Sequence, residues 1–182
     1  MKPIDDDIKI FHPAKNSAAG ADLAELALLM DSYRTNGNME KAKALGEKLA
    51  ELSPESICPD KAAKLNTNEL RLLRALMVFS AQISLHKYLP HQMLSSQAIN
   101  AMYAKIAKNH PGLFDNISDG SSYTFYYLSV RKNKNVEENI GKNYAMLCDR
   151  DNDSFYESLG TRVYSLTDVM VCDLIEEFEF KE

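Results

Sequence analysis

Residues 69–88, ELRLLRALMVFSAQISLHKY, form the longest uninterrupted helical pattern in the chain, because they contain neither Gly nor Pro and few residues that favour turns. Apolar residues cover most of the circumference of this predicted helix, whereas a surface helix needs only one apolar stripe. Asn66 and Glu69 have the spacing of an N-terminal capping box, and Pro90 predicts the end of the helix just before it. The sequence therefore predicts a central helix that packs on two or more sides.

Upstream of this helix, two further segments have helical spacing and are separated by a turn signal. Apolar residues recur at helical intervals over residues 18–33 and 39–52, and Asn36-Gly37-Asn38 between them predicts a tight turn. We expect an antiparallel hairpin whose two helices share one apolar seam. Over the whole chain the patterns predict about eight helices. The expected fold class is all-α, arranged as a repeat-like stack of antiparallel hairpins, with a compact irregular helical bundle as the alternative.

The C-terminal third contains less direct signals. Residues Tyr123–Val130, YTFYYLSV, are aromatic and β-branched, and such residues suit a strand as well as a buried helix. We favour the helix, because the chain offers no second strand-like run for pairing. Ser154 with Glu157, and Ser165 with Asp168, have capping-box spacing and predict the starts of two final helices.

The length of 182 residues suits one domain. Residues 1–17 contain Pro3, Pro13 and a run of three aspartates, so we expect an extended N-terminal arm there. A single all-helical domain is expected over residues 18–182.

The first predicted hairpin carries a pattern known from repeat proteins. In ALLMDSYRTNGNMEKAKALGEKLAELSP, four residues stand at the relative offsets of the tetratricopeptide (TPR) consensus: Tyr33, Gly37, Ala42 and Pro54. Residues 23–54 thus resemble one TPR unit, and the resemblance implies helical hairpins that serve as a protein-interaction module. The departures from the consensus lie at Glu25, Leu26, Gly46 and Leu49.

Charge and hydropathy argue against several classes of protein. The net charge of −5 and a pI of about 5.4 disfavour a nucleic-acid-binding protein. No purely apolar run exceeds five residues, the length of Ala75–Phe79, and Asp5–Asp7 occupy the place where an export signal has its apolar core, so we expect neither a membrane span nor secretion. The three cysteines form no C-x-x-C pair, which is typical of reduced thiols in a cytoplasmic protein.

The catalytic and metal-binding patterns in the chain all have simpler structural explanations. Cys148 would need a nearby base to act as a nucleophile, and a buried apolar thiol is the simpler interpretation. Ser84 and Lys87 satisfy the S-x-x-K pattern, but its companion motifs are absent. Three aspartates have the alternate spacing of a calcium loop without its required Gly and Glu: Asp149, Asp151 and Asp153. We therefore favour a protein without catalytic activity, cofactor or metal.

The distribution of charge indicates where a partner would bind. Residues 61–120 carry a net charge of +4, whereas residues 1–60 and 121–182 carry −4 and −5. Six of the nine tyrosines lie after residue 120. We predict that an acidic peptide or protein binds to a surface formed by Lys64, Arg71, Arg74, Lys105, Lys108, Tyr123, Tyr126 and Tyr127.

Two other interpretations of these residues remain open. In the first, the basic residues are merely solvated or neutralise the acidic flanks within the chain. The aromatic residues would equally suit a small hydrolase or a ligand-binding protein with a C-terminal site. A homo-oligomer is compatible with either function.

Overall fold

The computed structural model describes residues 18–118, 120–132 and 134–181. Within these ranges the chain forms ten helices and no strand, which confirms the all-α class and corrects the predicted number of about eight. The predicted N-terminal arm lies outside the described residues. The helices are α1 Ala18–Thr35, α2 Asn38–Leu49, α3 Pro54–Ile57, α4 Pro59–Ala62, α5 Thr67–Tyr88, α6 Gln92–Asn109, α7 Pro111–Ser118, α8 Ser121–Lys132, α9 Val136–Leu147 and α10 Ser154–Phe178.

Three short helices, α3, α4 and α7, account for the larger number. Each begins at a proline: Pro54, Pro59 and Pro111. Proline ends the preceding helix, but its fixed φ also suits the first position of a new one, where no N–H is needed. The doubtful segment Tyr123–Val130 lies within α8 and is helical, as favoured from the sequence.

The prediction of two final helices is wrong, because α10 runs without a break through Ser165 and Asp168. The Ser165 hydroxyl does not cap a helix start but donates to the carbonyl of Thr161 in the preceding turn, at 3.1 Å. The other predicted boundary is correct: α10 begins at Ser154, and the Asp153 carboxylate accepts a hydrogen bond from the Phe155 N–H at 2.9 Å.

Helix α5 packs on two sides, as predicted. Its capping box is present, because the Asn66 side chain accepts from the Glu69 N–H at 3.0 Å and the Glu69 carboxylate accepts from the Asn66 N–H at 2.9 Å. One side of α5 contributes Ala75, Val78, Ala81 and Leu85 to a first core cluster, which also contains residues of α2, α6 and α7. The other side contributes Leu72, Leu73, Leu76, Met77 and Phe79 to a second core cluster, shared with α8 and α9.

Helix α10 also belongs to both core clusters. Leu159 and Val163 in its first half lie in the second cluster, and Val171 and Leu174 in its second half lie in the first. It contacts α5 and α9 extensively, and it reaches α2 and α3 as well. In a repeat stack each unit contacts only its neighbours in sequence. The contacts of α10 with helices from the N-terminal part are instead those expected for the alternative, a compact irregular bundle.

Helix α2 packs chiefly on α6, so the predicted seam between the first two helices is the main contact of α1 but only a minor contact of α2. Gly46 lies at the crossing of α2 and α6, where a Cβ atom would overlap the backbone carbonyl of Ala98. The two small residues thus let the helices approach closely. Most of α1 stays outside the core, and among its apolar residues Tyr33 packs against the first cluster, with its ring centroid 5.8 Å from that of His91.

Candidate functional site

A shallow basic groove lies where α3, the start of α5 and the start of α7 meet. Arg71 and Arg74 enter it from α5, and His110 stands at the α6–α7 junction. Leu70 and Leu113 supply apolar surface between them. The cavity measures about 460 Å³. We call this surface the basic groove; its remaining lining residues are Pro54, Glu55, Thr67 and Gly112.

The two arginines of the basic groove differ in burial. Arg71 is exposed, and its guanidinium donates to the Asn68 side-chain oxygen at 2.6 Å. Arg74 is half-buried, and its guanidinium lies 3.5 Å from the Ala50 carbonyl oxygen. Among the described residues, neither guanidinium has a carboxylate oxygen within 4.0 Å.

Burial has an electrostatic consequence for Arg74. It lowers the pKa of this guanidinium, and the negative charge of Glu55 only partly opposes the effect. A partly dehydrated cation gains more from an anionic partner than a fully solvated one does. The groove is therefore suited to receive a carboxylate or another anion.

His110 adds a third nitrogen-bearing group to the groove. Burial, and then the positive charge of Arg74, lower the pKa of its imidazole. The ring is therefore uncharged near neutral pH, where it can donate or accept one hydrogen bond. His110 was not among the predicted site residues, although the break His110-Pro111-Gly112 indicates that this side chain stands at a helix junction.

The predicted lysines lie outside the basic groove. Lys105 and Lys108 line a second groove, of about 370 Å³, between α2 and α6. The two grooves lie near each other at the end of α6, where the consecutive residues Asn109 and His110 line one groove each. The ammonium of Lys105 is already paired with the Glu51 carboxylate at 2.6 Å, so part of the predicted charge is neutralised within the chain. Lys64 lies elsewhere, with its ammonium 6.0 Å from the ring centroid of Phe155.

The three predicted tyrosines of α8 have different surroundings. Tyr123 and Tyr127 line an apolar pocket of about 300 Å³ between α5 and α8, at the end of α7 opposite to the basic groove. At this pocket the hydroxyl oxygen of Tyr103 lies 2.7 Å from a Gln82 side-chain oxygen and 3.3 Å from the Tyr123 hydroxyl oxygen. Tyr126 is completely buried and therefore belongs to the core rather than to a binding surface.

Cys148 lies in a packed interior rather than in an open cleft. Burial raises the pKa of its thiol to about 11, even though a hydrogen bond with Tyr144 acts in the opposite direction. The thiol is therefore protonated near neutral pH and is a poor nucleophile.

Glu69, near Cys148, is buried and bonds to several residues of other elements, whereas the sequence indicated only its role in capping α5. One of its carboxylate oxygens accepts from the Tyr156 hydroxyl at 2.9 Å and lies 3.5 Å from the Arg150 guanidinium. Its backbone carbonyl accepts from the Tyr144 hydroxyl at 3.2 Å. These bonds join the start of α5 to α9 and α10.

Ser84 and Lys87, the residues of the S-x-x-K pattern, connect α5 to α10 through hydrogen bonds to Asp168. The Asp168 carboxylate accepts from the buried Ser84 hydroxyl at 2.6 Å, from the Tyr88 hydroxyl at 2.8 Å and from the Lys87 ammonium at 3.0 Å. Its hydrogen bonds with Tyr88 and Asp168 raise the pKa of Lys87 against the effect of its burial. Lys87 is thus held as a cation, which is unsuitable for a general base.

Over the described ranges, no three His, Cys, Asp or Glu side chains form a group suited to bind one metal ion. None of the helices in these ranges combines the length and apolar character that a bilayer span requires. Comparisons of the chain with protein-family models, with curated proteins and with solved structures found no match.

Proposed function

We propose that the protein is a non-catalytic interaction module of the cytoplasm that binds an acidic segment of a partner protein in the basic groove. The observation that carries this proposal is the pair Arg71 and Arg74. Both guanidinium groups line one groove without a carboxylate partner among the described residues, and one of them is half-buried.

The chemistry of the groove favours a carboxylate-bearing peptide with apolar residues. Arginine can hold a carboxylate through two parallel hydrogen bonds, and His110 offers a further donor or acceptor. Leu70 and Leu113 provide apolar contact for the side chains between the acidic residues. The exposed Lys108 in the adjoining groove would extend the positive surface.

Other features support the same interpretation. The three cysteines are free thiols, as a reducing compartment requires. The alternative of a hydrolase receives less support, because Cys148 is buried and its pKa is raised to about 11.

A binding assay with a defined probe tests the proposal. The probe is a fluorescein-labelled dodecapeptide of Glu, Leu and Gly, and the same peptide with Gln in place of Glu is the chemical control. Fluorescence anisotropy at low ionic strength should show binding of the Glu peptide only, since surface electrostatics are screened by salt.

Variants of the groove make the assay specific. Arg71→Glu and Arg74→Gln should each weaken binding at least tenfold, which corresponds to about 1.4 kcal/mol. The matched control is Arg162→Glu, which reverses the charge of an exposed arginine on α10 and should leave binding unchanged. Equal binding of the Gln peptide, or wild-type affinity in both groove variants, would refute the proposal.

A further inference from the structure

We propose that the protein forms a twofold dimer in which helix α1 of each copy lies on helix α8 of the other. The inference is independent of the basic groove. Among the described residues, eight large apolar side chains are exposed, and seven of them lie on these two helices. They are Leu23, Leu26, Leu28 and Met30 on α1, and Phe125, Tyr127 and Leu128 on α8.

The exposed residues of α1 form an ordered stripe. Leu23, Leu26 and Met30 advance by three and then four residues, so they share one side of the helix. Their exposed fractions are 67%, 43% and 42%. Most helical stability in proteins comes from packing an apolar side rather than from helix propensity, and this side of α1 is left uncovered within one copy. We call this surface the α1 stripe.

The exposed residues of α8 form the matching surface. Tyr126, Ser122 and Ser129 face inward and are buried, while Phe125, Tyr127 and Leu128 face outward. We call these three the α8 patch. Tyr127 and Leu128 border the apolar pocket between α5 and α8, so the patch includes a depression that suits a Leu or Met side chain.

The charges of the two helices are complementary. Residues 18–35 of α1 contain three acidic residues and one basic residue, a net charge of −2. Residues 121–132 of α8 contain Arg131 and Lys132 and no acidic residue, a net charge of +2. Pairing α1 with a second α1 would bring two acidic helices together, and pairing α8 with a second α8 two basic ones. Of these three pairings, only that of α1 with α8 joins opposite charges.

The size of the contact favours a reciprocal arrangement. Stable protein interfaces bury roughly 1,200–2,000 Å² in total, which is more than one short pair of helices provides. A twofold axis uses the contact between α1 and α8 twice and covers both surfaces on both copies. It also closes the assembly at two copies, whereas a non-reciprocal contact would continue into a larger ring or a filament.

Sedimentation equilibrium of the full chain over a concentration series tests the dimer. The wild type should be a dimer, and the variants Leu26→Glu/Met30→Glu and Tyr127→Glu/Leu128→Glu should each raise its dissociation constant at least tenfold. The matched control is Val169→Glu, which changes the eighth exposed apolar residue, on α10, and should remain dimeric. Far-ultraviolet circular dichroism checks that every variant keeps its helices.

A charge exchange tests the pairing of α1 with α8. Arg131→Glu/Lys132→Glu should weaken the dimer, and adding Glu25→Lys/Asp31→Lys on α1 of the same chain should restore it. A monomeric wild type, or assembly that grows beyond two copies, would overturn the proposal. A dimer that tolerates the changes on α1 would mean an α8–α8 contact, and one that tolerates the changes on α8 would mean an α1–α1 contact; either result would also overturn the proposal. So would failure of the charge exchange to restore association.

Discussion

The Tyr126 side chain is completely buried, yet its hydroxyl has no hydrogen-bond partner among the described residues. Burial also raises the pKa of this phenol, so it stays uncharged. An unpartnered buried hydroxyl costs free energy, and replacing it with hydrogen removes that cost. We expect Tyr126→Phe to leave the free energy of unfolding unchanged or to raise it by up to about 2 kcal/mol in urea denaturation.

Tyr144 provides the matched control, since it is equally buried but its hydroxyl donates to the Glu69 carbonyl at 3.2 Å. Tyr144→Phe should lower the free energy of unfolding by about 0.5–1.5 kcal/mol. Equal losses in Tyr126→Phe and Tyr144→Phe would show that the Tyr126 hydroxyl does have a partner.

Asp168 should make the stability of the protein depend on pH. Burial alone would raise the pKa of its carboxyl, but hydrogen bonds from Ser84, Tyr88 and Lys87 outweigh burial and hold the pKa below the usual 3.8. A carboxyl with a lowered folded-state pKa stabilises the fold above its unfolded-state pKa. This contribution is lost as the pH falls through the folded-state value.

We therefore expect Asp168→Asn to lower the free energy of unfolding at pH 7 by about 1–3 kcal/mol. The difference from the wild type should shrink as the pH falls below about 4, because both proteins then carry an uncharged group. Urea denaturation between pH 2 and 7 measures this, with the exposed Asp173→Asn as the control. A difference that stays constant over this range would exclude a role for the Asp168 charge.

At the residue scale, the sequence indicated which residues share one side of a helix, but not which of those sides are buried. Arg71 and Arg74 are three residues apart on one helix, so their shared surface followed from helical geometry alone. Tyr126 was included in the predicted surface because aromatic residues occupy several sides of α8, and such a pattern does not say which side is buried. His110 joins the groove through contacts between α5 and α7, which no local pattern reports.

The crossing of α2 and α6 depends on a single hydrogen atom at residue 46. A Cβ at Gly46 would overlap the Ala98 carbonyl, which is backbone and cannot rotate away. We expect Gly46→Ala to lower the free energy of unfolding by about 1–3 kcal/mol, in spite of the higher helix propensity of Ala. Thermal and urea denaturation followed by circular dichroism measure this.

Gly112 at the start of α7 is the comparison, because a Cβ there would contact nothing within 4 Å. Gly112→Ala should therefore be neutral or slightly stabilising. If Gly46→Ala were as stable as Gly112→Ala, the close approach of α2 and α6 would be disproved.

At the element scale, the long helices were predictable where a cap and an apolar pattern agreed. Asn66 and Glu69 mark the start of α5 correctly, because both capping bonds form. The same spacing at Ser165 and Asp168 was misleading, since a serine inside a helix can donate to the carbonyl four residues earlier. A capping pattern therefore indicates a helix start only where the preceding helix has already ended.

At the scale of the whole molecule, the fold depends on contacts between residues that are far apart in sequence. The pairing of α10 with α5 and α2 brings the C-terminal helix against the first half of the chain. Helical periodicity shows that α2 and α5 have apolar sides but not which helix covers each one. For the same reason the sequence pattern predicted α1 as the main partner of α2, whereas α2 packs mainly on α6, where Gly46 and Ala98 allow a close approach.

The two core clusters should unfold together, because α5 and α10 contribute residues to both. Leu94 lies in the first cluster and Leu159 in the second, and both are fully buried. Leu94→Ala and Leu159→Ala should each lower the free energy of unfolding by about 2–5 kcal/mol. The exposed Val169→Ala, by contrast, should stay within about 0.5 kcal/mol of the wild type.

The cooperativity itself is measured by two probes in the same urea titration. The chain has no Trp and nine Tyr, so near-ultraviolet circular dichroism reports tyrosine packing, to which the buried Tyr126 and Tyr144 of the second cluster contribute. Far-ultraviolet circular dichroism reports helices from both clusters. Damage to either cluster removes packing from α5 and α10, so the two transitions should coincide in both core variants. If Leu159→Ala lost its tyrosine signal at a lower urea concentration than its helical signal, the clusters would be separate folding units joined by two long helices.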